Sequence, residues 1–324
     1  MIDRLELFCR LGERLRDFGK TPESERLIAQ SVEANGWFTR EDIIRAVDAI
    51  RSEMLSREQL EAWLEHYPTV SRPKRVAVIM AGNIPLVGFF DLLCVLTAGH
   101  ACHIKPSSKD RVLMDFIAAT LREIDPTVPI HDYSPSEVYD MAIATGGDDA
   151  NRYFREHFSS TRALLRGSRH SIAILDGAET EEELRGLETD ITAYSGLGCR
   201  SVAMLFVPRG SELRLPTTEP VNPKLRGGLR STVALLELQH ASYTYHGAFV
   251  TLHAEDFPMR IAVVTIREYD TLDEVREWIE ANAESLQCIV SHAAIAGAVP
   301  FGRAQYPTLW DYADGVDTMR WLGE

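Results

Sequence analysis

The 324-residue sequence carries few positive charges for its size. Lys and Arg number 34 against 48 Asp and Glu, which gives a net charge of −14 and a pI near 5.2. This acidic balance argues against non-specific nucleic-acid binding, which requires a basic surface. Phosphate-bearing small molecules remain compatible with it, because a local cluster of donors is enough to bind them.

Long apolar runs and paired cysteines are also scarce. The longest apolar stretch, residues 84–98, contains Asp91 and predicts a buried helix rather than a membrane span. The five cysteines are odd in number and form no C-x-x-C pair, which is typical of a reduced chain without a disulfide framework. The charged N-terminal residues show no signal-peptide pattern, so we expect a cytoplasmic protein.

The first seventy residues are predicted to be helical, because Leu7, Leu11 and Leu15 recur near the helical period. Pro68 and Pro73 then mark a connector. Beyond it, short apolar runs alternate with helical patterns. Strands are predicted at 75–82, 100–106, 130–133, 141–147, 162–167, 171–177, 201–208, 260–269 and 286–293. This alternation predicts βαβ units and a doubly wound parallel sheet.

Two connections have predicted conformations of their own. Pro85 is expected to open a helix that runs from Leu86 to Thr97. Residues 208–230 are rich in Pro, Gly and Arg and are predicted to form an exposed loop.

Cys199 combines several features of a nucleophilic thiol. It follows a helical pattern, lies in a turn that contains Gly196 and Gly198, and precedes an apolar strand. Glycines leave room for a carbonyl carbon, and nearby backbone N–H groups can hold an oxyanion. Arg200 is placed to lower the thiol pKa from its usual value of about 8.5. A buried structural cysteine fits the residues alone equally well.

Polar or glycine residues follow three of the predicted strands. Asn83 stands where open α/β sheets bind ligands and is a candidate oxyanion donor, although the residues alone favour a helix cap. Lys105 can bind a ribose or phosphate, but a solvated loop lysine is the simpler interpretation. Gly146 and Gly147 precede a helix and can present N–H groups to a phosphate, although one Gly-Gly pair is weak evidence.

No metal site is expected. His100, Cys102 and His103 are close in sequence, but strand alternation sends Cys102 and His103 to opposite faces. A matched second group of ligands is missing from the sequence. The acidic residues 176–183 are explained as the first turn of a helix.

Taken in order, these segments resemble the aldehyde-dehydrogenase superfamily, and within it the fatty acyl-CoA reductases related to the bacterial bioluminescence reductase. The resemblance extends from about residue 73 to the C-terminus. It rests on MAGNIPL (80–86), KPSS (105–108), TGG (145–147), RGSRHSIAIL (166–175), SGLGCRS (195–201), and a tail that includes LDEVREWIEANAESLQCIV (272–290) and PFGRAQYPTLWDYADGVDTMRWL (300–322).

The resemblance implies an aldehyde-dehydrogenase-like α/β fold. A Rossmann-type parallel-sheet cofactor domain would be joined to a second α/β catalytic domain, with helices at the N-terminus. The implied boundaries are an N-terminal helical segment at 1–70, a nucleotide-binding domain at 71–190, a catalytic domain at 191–304 and a return segment at 305–324.

The resemblance also implies a reaction, the reduction of a long- or medium-chain acyl thioester to an aldehyde. Cys199 would attack the acyl carbonyl, while Asn83 and the Cys199 N–H would hold the oxyanion. The residues implied for cofactor binding are Lys105, Ser107, Ser108, Gly146 and Gly147. The acyl donor would be acyl-CoA or an acyl-carrier thioester. A second copy of the chain or an acyl-donor protein is left open as a partner.

NADPH is the expected cofactor, and NADH is left open. Ser108 stands where relatives that prefer NAD commonly carry a glutamate, whose charge would repel a 2′-phosphate. Lys105 lies close enough in sequence to supply a cation. The other interpretation is that Ser108 caps the helix beginning near Lys109.

Two departures from the superfamily pattern bear on the reaction. Leu164 replaces the general-base glutamate of hydrolytic aldehyde dehydrogenases, which thioester reduction does not strictly need. The glutamate that grips the nicotinamide ribose is not evident, and Glu268 is a weak candidate by position. Two alternatives stay open: a hydrolytic aldehyde dehydrogenase with His246 as its base, and a catalytically inactive, partner-binding homologue.

Overall fold

The computed structural model describes residues 3–324, apart from the side chain of Asp148. Met1 and Ile2, where the predicted N-terminal segment begins, lie outside this part. The chain divides into two compact units, one formed by Met1–Ser168 with Pro307–Glu324 and the other by Arg169–Tyr306. The nucleotide-binding domain predicted at 71–190 extends past this division, and the predicted functional boundaries stay a prediction.

Helices open the first unit, as the sequence predicts. They are α1 (Arg4–Arg14), α2 (Pro22–Ala34), α3 (Arg40–Met54) and α4 (Arg57–Leu64). Side-chain oxygens of Thr21, Thr39 and Ser56 accept hydrogen bonds from backbone N–H groups three residues ahead, and so fix the starts of α2, α3 and α4. Phe8 and Trp63 are fully buried in the core that these helices share with the following sheet.

The sheet of the first unit is parallel throughout. Its elements are β1 (Arg75–Ile79), α5 (Phe89–Ala98), β2 (Ala101–Lys105), α6 (Arg111–Ile124), β3 (Ile130–Asp132), β4 (Met141–Thr145), α7 (Asp148–His157) and β5 (Arg162–Arg166). The strand order is β3-β2-β1-β4-β5. The chain therefore reverses its progression between β1 and β4, and open sheets of this kind bind ligands at the carboxyl ends of such strands.

Both faces of this sheet are covered, which explains why its central strands β1 and β4 are mostly apolar. Val76 and Val78 of β1 face the core that contains the N-terminal helices, α5 and α6. Ala77 and Ile79 face the opposite side, where Phe154 of α7 packs. The alternation along β1 thus supplies two separate cores.

The helix after β1 begins later than the sequence predicts. Pro85 does not open it, because α5 starts at Phe89 with Gly88 in the N-cap position. Leu86 has a φ of 56°, a left-handed conformation through which an α-helix cannot pass. Asn83 consequently does not cap this helix, and the interpretation of Asn83 as a cap is wrong.

The second unit contains a mostly parallel sheet. Its elements are β6 (His170–Ile174), α8 (Glu181–Thr192), β7 (Val202–Pro208), α9 (Pro223–Leu238), β8 (Thr244–Tyr245), β9 (Val250–His253), β10 (Val263–Tyr269), α10 (Leu272–Ala281) and β11 (Leu286–Val290). The strand order is β11-β6-β7-β10-β9-β8, and β8 and β9 pair in antiparallel fashion. Residues of α8 pack on one face, and Val275 of α10 packs on the other.

The prediction of a loop over residues 208–230 is wrong from residue 223 onward. The helix α9 begins at Pro223, and the side chain of Asn222 accepts hydrogen bonds from the N–H groups of its first turn. One of the glycines that suggested a loop, Gly228, serves packing instead. A Cβ on Gly228 would lie 2.4 Å from Ile261 Cδ1, so glycine lets the helix approach closely.

The last helix, α11 (Thr318–Gly323), returns to the first unit, where Met319 and Leu322 join the core around α5. The two parallel-sheet units and the N-terminal helices confirm the predicted α/β class. Among residues 3–324, no helix combines the length and apolar character needed to cross a membrane.

Candidate active site

Cys199 lies between α8 and β7, at the amino edge of the second sheet, and is partly exposed. A short 3-10 turn, Ala193–Gly196, precedes it. Within this turn Tyr194 and Ser195 have left-handed φ values of 54° and 57°. Such conformations cost roughly 1–3 kcal/mol per residue and persist only where neighbouring structure holds them. The turn before the thiol is therefore strained and needs support.

Hydrogen bonds fix the residues on either side of the thiol. Ser171 Oγ, on β6, donates to the carbonyl of Cys199 at 2.8 Å. Arg200 Nε donates to the carbonyl of Ala304 at 2.5 Å, and Arg200 Nη2 lies 3.4 Å from Cys288 Sγ. These contacts give Arg200 a structural role, and its predicted effect on the pKa of Cys199 stays a prediction.

The segment that receives Arg200 is itself anchored to α8. Asp190, fully buried, accepts hydrogen bonds from the N–H groups of Gly302 at 2.6 Å and Ala304 at 3.0 Å. Gly302 has a φ of 80°, which glycine adopts without strain. Gln305 Nε2 completes the contact by donating to Ser201 Oγ at 3.3 Å. Sequence reasoning missed Asp190, because no periodic pattern or motif connects it with residues 302–305.

In the first unit, the predicted oxyanion donor Asn83 and the predicted cofactor-binding residues lie at the carboxyl edge of the sheet. Asn83 follows β1 and is exposed, Lys105 ends β2, and Gly146 and Gly147 follow β4. Ile79, the last residue of β1, is paired with Lys105 on one side. The structure therefore brings these segments together, whereas Cys199 belongs to the other unit. Their roles in binding and catalysis stay predictions.

The loops after β1 and β2 are in direct contact. A Cβ on Gly82 would lie 2.6 Å from both Cβ and Oγ of Ser107, so the approach requires glycine. Asp110 Oδ2 accepts a hydrogen bond from the N–H of Leu86 at 2.9 Å, which supports the left-handed backbone there. Burial raises the pKa of the Asp110 carboxyl well above its usual value. Asp110 carries no sequence signal for this contact.

Lys105 and Ser108 are both exposed. Lys105 Nζ lies 5.9 Å from the centre of the Tyr133 ring, within the range of a cation–π contact. The helix α6 begins at Arg111 with Asp110 in the N-cap position. Ser108 therefore does not cap α6, and that interpretation of Ser108 is wrong.

The loop after β4 is open to solvent at Gly147, which occupies the N-cap position of α7. Among the described residues other than its two chain neighbours, none would have a heavy atom within 4 Å of a Cβ there. Asn151 Nδ2 donates to the carbonyls of Gly146 at 3.0 Å and Arg166 at 2.8 Å, which fixes the loop. The helix terminus is thus accessible to a phosphate, although the exposed carboxylate of Asp149 in the same turn opposes one.

His246, the base considered for a hydrolytic reaction, is buried and hydrogen-bonded. Its Nε2 lies 3.0 Å from Thr251 Oγ1. Burial lowers the pKa of this imidazole, although a hydrogen bond to the backbone of Leu215 opposes the shift. These contacts explain His246 as a core residue and disfavour it as a solvent-accessible base.

Glu268, the weak candidate for gripping a nicotinamide ribose, lies far from the thiol within the second unit. It pairs with Val207 near the carboxyl end of β7, whereas Cys199 precedes Val202 at the amino end. Five residues of strand separate these positions, roughly 16 Å. Glu268 also forms an ion pair with Arg209 at 3.2 Å. The suggested role for Glu268 is therefore not supported.

His292 lies among carboxylates in the second unit. Its Nε2 is 2.9 Å from Asp176 and its Nδ1 is 2.7 Å from Glu183, and these contacts raise the pKa of His292 to about 9. The pKa of Glu183 is lowered to about 2. The largest cause is the hydrogen bond from the Thr180 N–H, and the hydrogen bond with His292 is the second. Asp176, Glu179 and His292 present ligand atoms within 4.8 Å of one another. The hydrogen bonds explain this cluster as an ion-pair network.

Sequence comparison finds relatives over part of the chain. Residues 19–236, about two thirds of the chain, match the family described as acyl-CoA reductase (LuxC). The long-chain acyl-protein thioester reductase of Photorhabdus laumondii is 27% identical over 199 residues, 54% of this chain and 41% of that protein. Its counterpart from Vibrio harveyi is 27% identical over 199 residues, which are 54% of this chain and 42% of that protein. The matched stretch thus spans about two fifths of these curated relatives.

Solved structures share the fold over most of the chain. The NAD⁺ complex of an aldehyde dehydrogenase from Bacillus cereus has a TM-score of 0.58 at 16% identity, covering 90% of this chain and 72% of that one. Aldehyde dehydrogenase 21 from Physcomitrella patens has a TM-score of 0.60 at 12% identity, covering 91% and 78%. The predicted aldehyde-dehydrogenase-like fold is confirmed.

Proposed function

The chain belongs to the acyl-CoA reductase (LuxC) family, and from this premise we propose that it reduces an acyl thioester to an aldehyde through an acyl group carried on Cys199. The observation that carries the proposal is the partly exposed thiol that follows a strained, glycine-containing turn. The names of the Photorhabdus and Vibrio relatives support a thioester substrate.

The chemistry at Cys199 has two parts. The thiolate attacks the thioester carbonyl, the bond to the donor sulfur breaks, and the acyl group becomes attached to Cys199 while the donor leaves as a thiolate. A bound nicotinamide supplies the hydride that reduces the acyl carbon. Hydride addition leaves the negative charge on the oxygen of a thiohemiacetal alkoxide on Cys199, which reforms the carbonyl, expels the sulfur as the Cys199 thiolate and releases the aldehyde.

Two groups are proposed to stabilise the charge that develops on the carbonyl oxygen. They are the backbone N–H of Cys199 and the side-chain amide of Asn83. Neither part of the reaction requires activated water. Leu164 stands at the position where hydrolytic enzymes carry a glutamate, and its apolar side chain is compatible with reduction.

NADPH is the proposed cofactor, with NADH as a second substrate of the same site. The residues at the carboxyl edge of the first sheet fit a dinucleotide, because β1 and β4 flank a topological switch point and Gly147 leaves the α7 terminus accessible. Lys105 and Ser108 are exposed and offer a cation and a hydroxyl. A 2′-phosphate is accepted more readily by such groups than by a carboxylate.

The proposed substrate is a long- or medium-chain acyl group on CoA or an acyl-carrier protein. An acyl-donor protein or a second copy of the chain is the proposed partner, and the cytoplasm is the proposed location. The buried, hydrogen-bonded state of His246 disfavours the hydrolytic alternative.

The test is an assay of the purified chain with NADPH and a series of acyl-CoA thioesters. Aldehyde is expected to form in equal amount to the NADPH oxidised. Cys199→Ala should abolish aldehyde formation and NADPH oxidation while the circular dichroism spectrum stays unchanged. Cys9→Ala, which removes another partly exposed thiol, should retain both activities. A carboxylic acid product would favour the hydrolytic alternative. No product with any thioester would favour an inactive homologue.

A further inference from the structure

We propose that Asp190 is a positioning residue for Cys199 and acts through residues 302–305. This inference rests on the proposed function for its kinetic consequence. Its structural consequence, a coupling between Asp190 and the turn of Cys199, can be measured whether or not the chain reduces thioesters.

Asp190 fixes one conformation of the segment that it contacts. It is fully buried, and its two carboxylate oxygens accept separate hydrogen bonds, from Gly302 at 2.6 Å and Ala304 at 3.0 Å. A buried carboxylate is costly unless it is well hydrogen-bonded, and bonds to a charged acceptor are stronger than neutral ones. The N–H groups of both residues are therefore held towards α8.

The same segment transmits this constraint to the residues after the thiol. Ala304 gives its N–H to Asp190 and receives Arg200 Nε on its carbonyl at 2.5 Å. Gln305 Nε2 donates to Ser201 Oγ at 3.3 Å. Because these two contacts reach the two residues that directly follow Cys199, a shift of the segment would shift the backbone that carries the thiol.

The turn requires such a support because of its conformation. Tyr194 and Ser195 are buried and left-handed, and strained residues persist only where surrounding contacts hold them. Asp190 lies on the helix that leads into this turn. The contacts therefore form a closed loop, which runs from α8 through the 302–305 segment to Arg200 and back along the chain through Cys199 and the turn. The hydrogen bond from Ser171 Oγ fixes Cys199 from the side of the sheet.

Hydrogen–deuterium exchange tests the structural coupling independently of activity. Asp190→Ala should accelerate exchange at residues 302–304 and also at residues 194–201. Ser291→Ala is the matched control, because Ser291 is buried in the same unit and also makes two hydrogen bonds, to Ile174 and Ala293, at the opposite edge of the sheet. It should leave residues 194–201 unchanged. Unaltered exchange at 194–201 in Asp190→Ala would overturn the inference.

The kinetic consequence is measured by the single-turnover rate of Cys199 acylation. Asp190→Ala should slow acylation roughly 10–100-fold, the loss expected from a small misplacement of a reacting group. The Kd for NADPH should stay unchanged, since the proposed cofactor-binding residues lie in the first unit. Acylation at the wild-type rate, or equal slowing by Ser291→Ala, would overturn the inference.

A second variant covers the case in which Asp190→Ala does not fold. Arg200→Met removes the contact with the Ala304 carbonyl while keeping both bonds of Asp190, and should slow acylation to a similar extent. If the wild-type chain is not acylated at all, the proposed function fails, and the exchange experiment still decides the coupling.

Discussion

Replacement of Arg166 by methionine is expected to leave Asp91 as an unpaired buried charge. Arg166 Nη1 lies 2.5 Å from Asp91 Oδ1, and both side chains are 6% exposed. Arg166 Nη2 also donates to Thr318 Oγ1 at 2.8 Å. The guanidinium thus joins the end of β5 to α5 and α11 inside the first unit.

The expected loss is roughly 3–5 kcal/mol, the usual cost of removing one partner of a buried ion pair. For a unit of this size 1 kcal/mol corresponds to about 2–4 °C, so Tm of the first unit should fall by roughly 6–20 °C. Asp91→Leu combined with Arg166→Met removes both charges. It should recover most of the loss, because apolar replacements of buried ion pairs are often neutral or stabilising.

Calorimetry can measure the single and the double variant, with Arg152→Met as the matched control. Arg152 pairs with Asp149 at 3.0 Å, but these side chains are 81% and 100% exposed. Such a surface pair contributes at most about 1 kcal/mol. A Tm of Arg166→Met within about 2 °C of wild type would refute the reasoning. A double variant as unstable as the single one would also refute it.

Three further substitutions test individual residues. Asn83→Ala should slow acyl transfer by roughly 10²–10³-fold, as loss of an oxyanion donor does, and an unchanged rate would contradict this role. Ser108→Glu should lower kcat/KM for NADPH relative to NADH through repulsion of the 2′-phosphate; an unmoved ratio, or a tenfold wild-type preference for NADH, would argue against NADPH. His292, whose pKa is raised from 6.5 to about 9 by Asp176 and Glu183, contributes stability that is complete below pH 6.5 and lost as the pH rises through 9. Melting curves should show this alkaline decline in wild type and a weaker one in His292→Gln; identical declines would exclude the ion-pair explanation.

The regular elements are predictable because their signals are local. β1 and β4 are short apolar runs that end at glycine-containing loops, and the starts of α2 and α8 carry Thr21 and Thr180 as N-caps. The errors arise where a distant residue decides the conformation. Leu86 is left-handed beside Asp110, a residue 24 positions away, and Gly228 lies in a helix that approaches Ile261, outside the segment predicted as a loop.

The candidate site shows the same division. The glycines around Cys199 make the turn visible in the sequence, and the strand ends place Asn83 and Lys105 at one edge of a sheet. The contacts that support the turn cannot be predicted from the sequence, because Asp190 and Gly302 are 112 residues apart and no sequence pattern connects them. The left-handed conformation within Ala193–Gly196 likewise depends on tertiary contacts rather than on residue type.

The most direct test of the central claim is the mass of the chain after incubation with an acyl-CoA in the absence of a nicotinamide cofactor. The account predicts a gain of one acyl group, located on Cys199 by peptide mass spectrometry and absent from Cys199→Ala. Addition of NADPH should remove the group and release the corresponding aldehyde. An acyl group on a different residue, or aldehyde formation by the Cys199→Ala variant, would contradict the account.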